Sequence, residues 1–263
     1  MALREYAFGT AERRITLSGV LLIGGSDGRC GAGVFADYET LKSLGSPVKV
    51  IITSVTSQND SIYLGSYDLP CTSLESQFEA VSLADFNVVK IGMLPTVECV
   101  EVVSRYLDDI SLQVVLDPVM QSSSGGILNS PETTLAMEKL LLPRVCLLTP
   151  NLLEARSLLK LGKDQKMAME EMASRVLQLG SESVLLKGGH GDGTICRDIL
   201  VGKVKEPIFY ERNKIEGATS LRGTGCRLAT AIAHFLAHGM RLEDSVMEGI
   251  EFLQEYIRKN RKN

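Results

Sequence analysis

Tryptophan is absent from this 263-residue chain, and phenylalanine and tyrosine bring the aromatic content to only 5%. So sparse an aromatic complement excludes a stacking platform for single-stranded nucleic acid. A strong excess of either charge sign is also lacking: the formal net charge is −4, which argues against a generic nucleic-acid surface. The basic stretch Arg258-Lys259-Asn260-Arg261-Lys262 reads as a solvated helix end whose cations suit the negative dipole pole. No apolar run has the length of a membrane span. The six cysteines, Cys30, Cys71, Cys99, Cys146, Cys196 and Cys226, include no C-x-x-C pair. With no secretory leader at the N-terminus they are expected to be reduced thiols of a cytoplasmic protein, Cys146 in the core. Missing too are a Walker G-K-[ST] ending, a G-x-G-x-x-G fingerprint and an H-E-x-x-H pair. His234 and His238 are one helical turn apart, but no third ligand is in view, and they read as an ordinary helix end before Gly239. Without an internal repeat, low-complexity tract or linker, a single domain over residues 1–263 is expected.

What is present is an alternation. Apolar residues make up 44% of the chain and charged residues 23%, ordinary values for a globular protein. Strand-length apolar runs at 15–23, 48–55, 88–91, 112–116, 145–148 and 183–187 alternate with helical patterns at 32–44, 73–83, 96–107, 151–161 and 167–179, and a further helix starts at Ser130-Pro131. Thr96 and Asn151 stand at helix-cap positions, and Glu154 completes a capping-box spacing with Asn151. Two more strands, 194–201 and 205–210, flank Gly202-Lys203 as a hairpin, and helices at 224–237 and 242–258 close the pattern. The alternation predicts an α/β fold in three layers, a mostly parallel sheet with helices on both faces. Ligands of such sheets bind beyond the carboxyl ends of the strands. Polar and glycine residues collect there: Gly24-Gly25-Ser26-Asp27, Ser57-Gln58-Asn59, Gly92-Met93, Asp117-Pro118, Asn151 to Glu154, and Lys187-Gly188-Gly189-His190.

The most informative segment is Arg222-Gly223-Thr224-Gly225-Cys226-Arg227, which runs directly into an apolar helical stretch. Two glycines permit a tight turn, and the unpaired N–H groups and positive dipole end of the helix make an anion site with a thiol at its edge. The helix end favours thiolate, so Cys226 is expected to be more acidic than an ordinary thiol of pKa about 8.5. Asp37 lies about one turn beyond the glycine loop 24–33 and faces either the same cavity or solvent. Asp117, ahead of proline, is either a metal or phosphate ligand or a turn residue. Asn151 and Glu154 are explained fully by the capping box, yet the carboxylate is also placed to approach Mg²⁺ near a bound phosphate.

Taken in order, Ile23-Gly24-Gly25-Ser26-Asp27, Gly31-Ala32-Gly33-Val34-Phe35-Ala36-Asp37, Thr56-Ser57-Gln58-Asn59, Ile91-Gly92-Met93-Leu94, Leu116-Asp117-Pro118-Val119-Met120, Thr149-Pro150-Asn151, Lys187-Gly188-Gly189-His190 and Gly223-Thr224-Gly225-Cys226 resemble the ribokinase-like superfamily. The resemblance is closest to the hydroxymethylpyrimidine phosphate kinases of thiamin synthesis and their bacterial pyridoxal kinase relatives, and it covers nearly the whole chain. It implies a homodimer that transfers the γ-phosphoryl of ATP, with Mg²⁺, to a small heteroaromatic alcohol. It implies that Gly24, Asp37, Gln58 and Met93 line the ring pocket. Asp117, Glu154 and Lys187 would serve the phosphates and Mg²⁺, with Asn151 and Thr224 at the nucleotide. Gly223 and Gly225 would present backbone donors, and Cys226 would take the hydroxymethyl proton. Pyridoxal kinase activity and a non-catalytic ligand-binding relative are the competing expectations. The pattern departs from the family at Gly28-Arg29-Cys30-Gly31, Arg222 and Arg227, and the three arginines are candidates for a phosphate already carried by the substrate.

Overall fold

The computed structural model describes residues 19–59, 62–108, 111–121, 125–162, 164–189, 194–203, 205–218 and 221–261. Within them the strands are β1 (Gly19–Asp27), β2 (Val48–Gln58), β3 (Tyr63–Asp68), β4 (Phe86–Ile91), β5 (Gln113–Leu116), β6 (Val145–Leu148), β7 (Ser183–Leu186), β8 (Ile195–Gly202) and β9 (Lys205–Asn213). The helices are α1 (Gly33–Ser43), α2 (Cys71–Glu79), α3 (Val97–Leu107), α4 (Pro131–Leu140), α5 (Leu152–Leu158), α6 (Met169–Leu177), α7 (Thr224–Ala237) and α8 (Leu242–Asn260). The strands form one sheet in the order β3-β2-β1-β4-β5-β6-β7-β8-β9. Pairing is parallel from β2 through β7 across the centre and antiparallel for β2–β3, β7–β8 and β8–β9 at the flanks.

Continuous apolar runs build the central strands because both faces are covered. In β1, Leu21 and Ile23 enter one core with α2 to α6, while Val20 and Leu22 enter the other with α1, α7 and α8. The division of helices follows from chain direction. After β1 the chain moves one way through α1 to β2, then reverses, and β4 to β7 advance the other way. Right-handed crossovers on opposite headings put the helices on opposite faces. The reversal opens a crevice where β1 lies between β2 and β4.

Local chemistry stops and starts the helices as expected. Thr96 accepts from Cys99 N at 3.1 Å, and Ser130 accepts from Thr133 N at 3.2 Å ahead of Pro131. Asn151 and Glu154 form the full capping box. Several bounds differ from expectation. β1 continues past Gly24-Gly25 to Asp27, α2 starts at Cys71 and ends at Glu79, α5 ends at Leu158, and β9 reaches Asn213. β3 was not anticipated; it lies at the sheet edge and leaves Leu64 and Tyr67 exposed. Cys146 is partly buried against the core, its thiol donating to Val114 O. Among the described residues no helix is long and apolar enough to cross a membrane.

Candidate active site

The strand ends and the first turn of α7 enclose a cleft of about 1360 Å³. Gly24, Asp37, Gln58, Met93, Asp117, Asn151, Glu154, Lys187, Gly223, Thr224, Gly225 and Cys226 all line it. Residues far apart in sequence are brought together because each lies at a strand's carboxyl end or on a helix that follows one. His190 lies outside the described residues.

Gly223 precedes α7 with φ +68°, a left-handed conformation that favours glycine. A Cβ there would also overlap the Gly31 carbonyl oxygen, so the loop after β1 rests directly on this turn. Among the described residues no side chain caps α7, which leaves its leading N–H groups available to an anion. Gly225 is approached from β7: Lys187 Nζ stands 3.1 Å from where a Gly225 Cβ would lie. That ammonium bonds Asp117 Oδ1 at 2.8 Å, and Thr149 Oγ1 donates to the same oxygen at 3.1 Å. Burial alone would raise the Asp117 pKa, but Lys187 and Lys90 together hold it below the usual carboxylate value. Glu154 behaves oppositely. Burial, aided by Asp117, pushes its pKa up to about 7 against the pull of Lys187, while Asn151 N donates to Oε2 at 2.7 Å.

The other half of the cleft is built on β1, β2 and β4. Met93 packs its sulfur against Gly25, and Thr53 Oγ1 donates to Met93 O at 2.8 Å. Gln58 Nε2 donates to Thr56 Oγ1 at 2.9 Å, which itself donates to Ser26 O at 2.8 Å. Asp37 borders the cleft, yet both its oxygens are engaged: Lys90 Nζ is 2.7 Å from Oδ2 and Thr230 Oγ1 donates to Oδ1 at 2.8 Å. Burial alone would favour a neutral Lys90 amine, but Asp37, then Cys226 and Asp117, hold its pKa above the ordinary lysine value.

Two expectations are corrected. Cys226 is not acidified by the helix end: burial dominates and pushes the thiol up to about 12, despite Lys90 and the Gly33 N–H acting the other way. Arg227 does not face the phosphate site. Its guanidinium turns back along α7 to Glu39 Oε2 at 2.8 Å and Ala36 O at 3.1 Å, over the Tyr256 ring. Arg222 does line the cleft, paired with Asp27 Oδ2 at 3.1 Å, whereas Arg29 is exposed. His234 and His238 hold no metal arrangement; Ser46 Oγ and His234 Nδ1 are 2.7 Å apart, and His238 Nδ1 is 2.8 Å from His234 O. Among the described residues no group of three or more His, Cys, Asp or Glu is arranged to hold a metal ion.

Sequence reasoning placed Asp27 at a strand end without giving it a role, and it passed over Lys90 and the Asp198–Arg212 pair, whose 2.7 Å ion pair sits at the β8–β9 side of the cleft. Lys90 had a visible signal, a lone charge inside the apolar strand 86–91, because a buried lysine requires a partner. Asp198 and Arg212 lie on paired strands, but nothing local marks them.

The family model described as phosphomethylpyrimidine kinase matches residues 27–263. The hydroxymethylpyrimidine/phosphomethylpyrimidine kinase of Escherichia coli is 35% identical over 243 residues, covering 90% of each chain. The thiamine biosynthesis bifunctional protein ThiED of Geobacter sulfurreducens is 34% identical over 91% of this chain, which spans about half (49%) of that longer relative. Among solved structures, pyridoxal kinase from Staphylococcus aureus in complex with AMP-PCP and pyridoxal superposes with a TM-score of 0.79 at 29% identity, covering 90% of this chain and 87% of that one. The ribokinase-like sheet, the cleft at its strand ends and the match along nine-tenths of the sequence have one reading: the chain is a phosphotransferase that belongs to the phosphomethylpyrimidine kinase family.

Proposed function

We propose that this protein phosphorylates the hydroxymethyl group of hydroxymethylpyrimidine, its monophosphate, or both, at the expense of ATP. The observation that carries this reading is the meeting of Lys187, the start of α7 and Cys226 in one cleft with Gly24, Gly25 and Met93. The kinase names of the relatives and the AMP-PCP complex of a structural neighbour support it.

The hydroxymethyl oxygen attacks the γ-phosphorus as the bond to the bridging oxygen breaks, ADP leaves, and the hydroxyl proton passes to the Cys226 sulfur in its thiolate form. Donors at Gly223 to Cys226 stabilise charge on the transferring group, and Lys187 neutralises the polyphosphate. Asp117 and Glu154 are the residues suited to Mg²⁺. They supply hard oxygens, and among the described residues protein contacts occupy only one oxygen of each, which fits an ion completed by phosphate and water. When bound, that ion neutralises phosphate charge. Asp37 acts from within the protein, since its carboxylate is fully engaged. A homodimer is proposed on the exposed apolar side chains Val55, Leu64 and Tyr67 of the β2–β3 edge together with Phe35 and Tyr38 of α1; light scattering at micromolar concentration tests it.

ADP release is to be measured with hydroxymethylpyrimidine, its monophosphate and pyridoxal as acceptors. Turnover of either pyrimidine above pyridoxal is expected. Turnover of pyridoxal alone would reassign the substrate. A melting shift with ligand but no ADP from any acceptor would leave only a binding protein.

A further inference from the structure

Lys90 is almost wholly enclosed, at 1% exposure, in a strand whose other buried side chains, Phe86, Val88, Val89 and Ile91, are all apolar. Its neighbour two positions earlier, Val88, points into the core formed with α1, α7 and α8, and strand alternation places Lys90 on that same face. An aliphatic side chain would satisfy such a position, and an ammonium there requires compensation. The compensation is specific. Lys90 Nζ meets Asp37 Oδ2 at 2.7 Å, and Asp37 Oδ1 accepts from Thr230 at 2.8 Å. Asp37 lies four residues after Gly33 on α1, and Thr230 lies four residues after Cys226 on α7, so each pair shares a helix face. The hydrogen bond from Thr230 to Asp37 therefore ties α7 to α1 with Lys90 anchored beneath it, and one turn up α7 Cys226 lines the same cleft as Lys90.

We propose that Lys90 is a positioning residue for the transfer reaction, its ammonium locked through Asp37 and Thr230 into a brace that sets the Cys226 sulfur against α1 and supplies the fixed positive charge beneath it. The proposal rests on the reading of Cys226 as the proton acceptor. The charged groups around that sulfur come from four elements: Lys90 from β4, Asp37 from α1, Asp117 after β5 and Lys187 after β7. Lys90 is the leading charge that favours thiolate, and Asp117 and Asp37 oppose it. Lys90 and Lys187 are held above the ordinary lysine value and Asp117 below the ordinary carboxylate value, while burial raises Asp37.

The test is alkylation of Cys226 by iodoacetamide between pH 7.5 and 9.5, without nucleotide, followed by peptide mass spectrometry, in wild type, K90M and K90R. Methionine keeps the shape and loses the charge; arginine keeps the charge and changes the shape. A one-unit rise in thiol pKa cuts thiolate tenfold while raising its nucleophilicity about threefold, so K90M should alkylate at least about threefold more slowly. Its kcat should fall at least about tenfold with the KM for ATP unchanged. K90R should retain most of both. Alkylation of folded K90M at the wild-type rate, or equal losses in K90M and K90R, would overturn the proposal. If K90M does not fold, K90Q/D37N leaves two neutral groups to bond each other; its alkylation must still slow, because Lys90 outweighs Asp37 at the sulfur. Failure of the wild type to phosphorylate any acceptor would sink the functional reading, whereas the alkylation comparison decides Lys90 by itself.

Discussion

His234 gives the fold a titration that can be separated from the cleft. It lies on α7, buried, with Nδ1 2.7 Å from Ser46 Oγ and its ring 4.3 Å from that of His238. Burial, and then the neighbouring His238, depress its pKa from 6.5 to about 4. The unfolded chain therefore binds a proton below pH 6.5 that the folded chain refuses, and stability is lost as pH falls from 6.5 towards 4. Between pH 7.5 and 5 the loss is about 2 kcal/mol. Glu154 has the opposite sign. Its folded pKa is raised from 4.5 to about 7, so its contribution is present below pH 4.5 and is lost as pH rises through 7. Acidification from 7.5 to 5 regains about 2 kcal/mol there. The two nearly cancel, so together they leave wild-type stability flat across this window. His234→Asn retains a polar partner for Ser46 and does not titrate, and it should become more stable by about 2 kcal/mol on acidification. Glu154→Gln keeps a residue able to complete the capping box, and it should become less stable by a similar amount. Urea unfolding at pH 7.5, 6.0 and 5.0 measures all three proteins, and common titrations drop out of the differences. Parallel profiles for wild type and His234→Asn, within about 0.5 kcal/mol, would refute the burial argument.

Other outcomes follow from the cleft. Cys226→Ala should bind ATP with unchanged affinity by calorimetry while losing about 100-fold or more in transfer; unchanged turnover would remove the sulfur from the mechanism. Because burial holds the free thiol up at about 12, log kcat/KM should climb about one unit per pH unit from 7.5 to 9.5, and a flat profile there would show that ionisation of Cys226 is not required. Gly223→Ala places a side chain at positive φ against the Gly31 carbonyl and should cost more than about 2 kcal/mol in unfolding measurements, with nucleotide affinity falling alongside. Arg227→Met should lower stability by about 1–3 kcal/mol through loss of the Glu39 and Tyr256 contacts, and it should affect phosphorylated and unphosphorylated acceptors equally; selective loss on the monophosphate would restore it to the phosphate site.

The alternation of buried strands and helices was legible because parallel strands covered on both sides are written as unbroken apolar runs, punctuated by the turn residues that become the cleft. The residues of the α7 turn and the capping box at Asn151 were legible for the same reason: their chemistry is local. β3 was not. Tyr63–Asp68 is an edge strand with mixed exposure, and neither an apolar run nor strict alternation marks it. Pairings such as Lys90 with Asp37 and Arg227 with Glu39 join distant positions, and only the packing of α1 against α7 and the sheet reveals them. The acidity of Cys226 was misjudged because a helix start is visible in sequence whereas desolvation is not, and here desolvation is the larger effect.

A sulfur that keeps its proton is also a poor target for peroxide, since oxidants act on the ionised form. Cys226 is partly exposed in the cleft, so its protection comes from the retained proton: before its ligands arrive it should oxidise more slowly than an exposed, low-pKa cysteine. Unfolding would remove that protection.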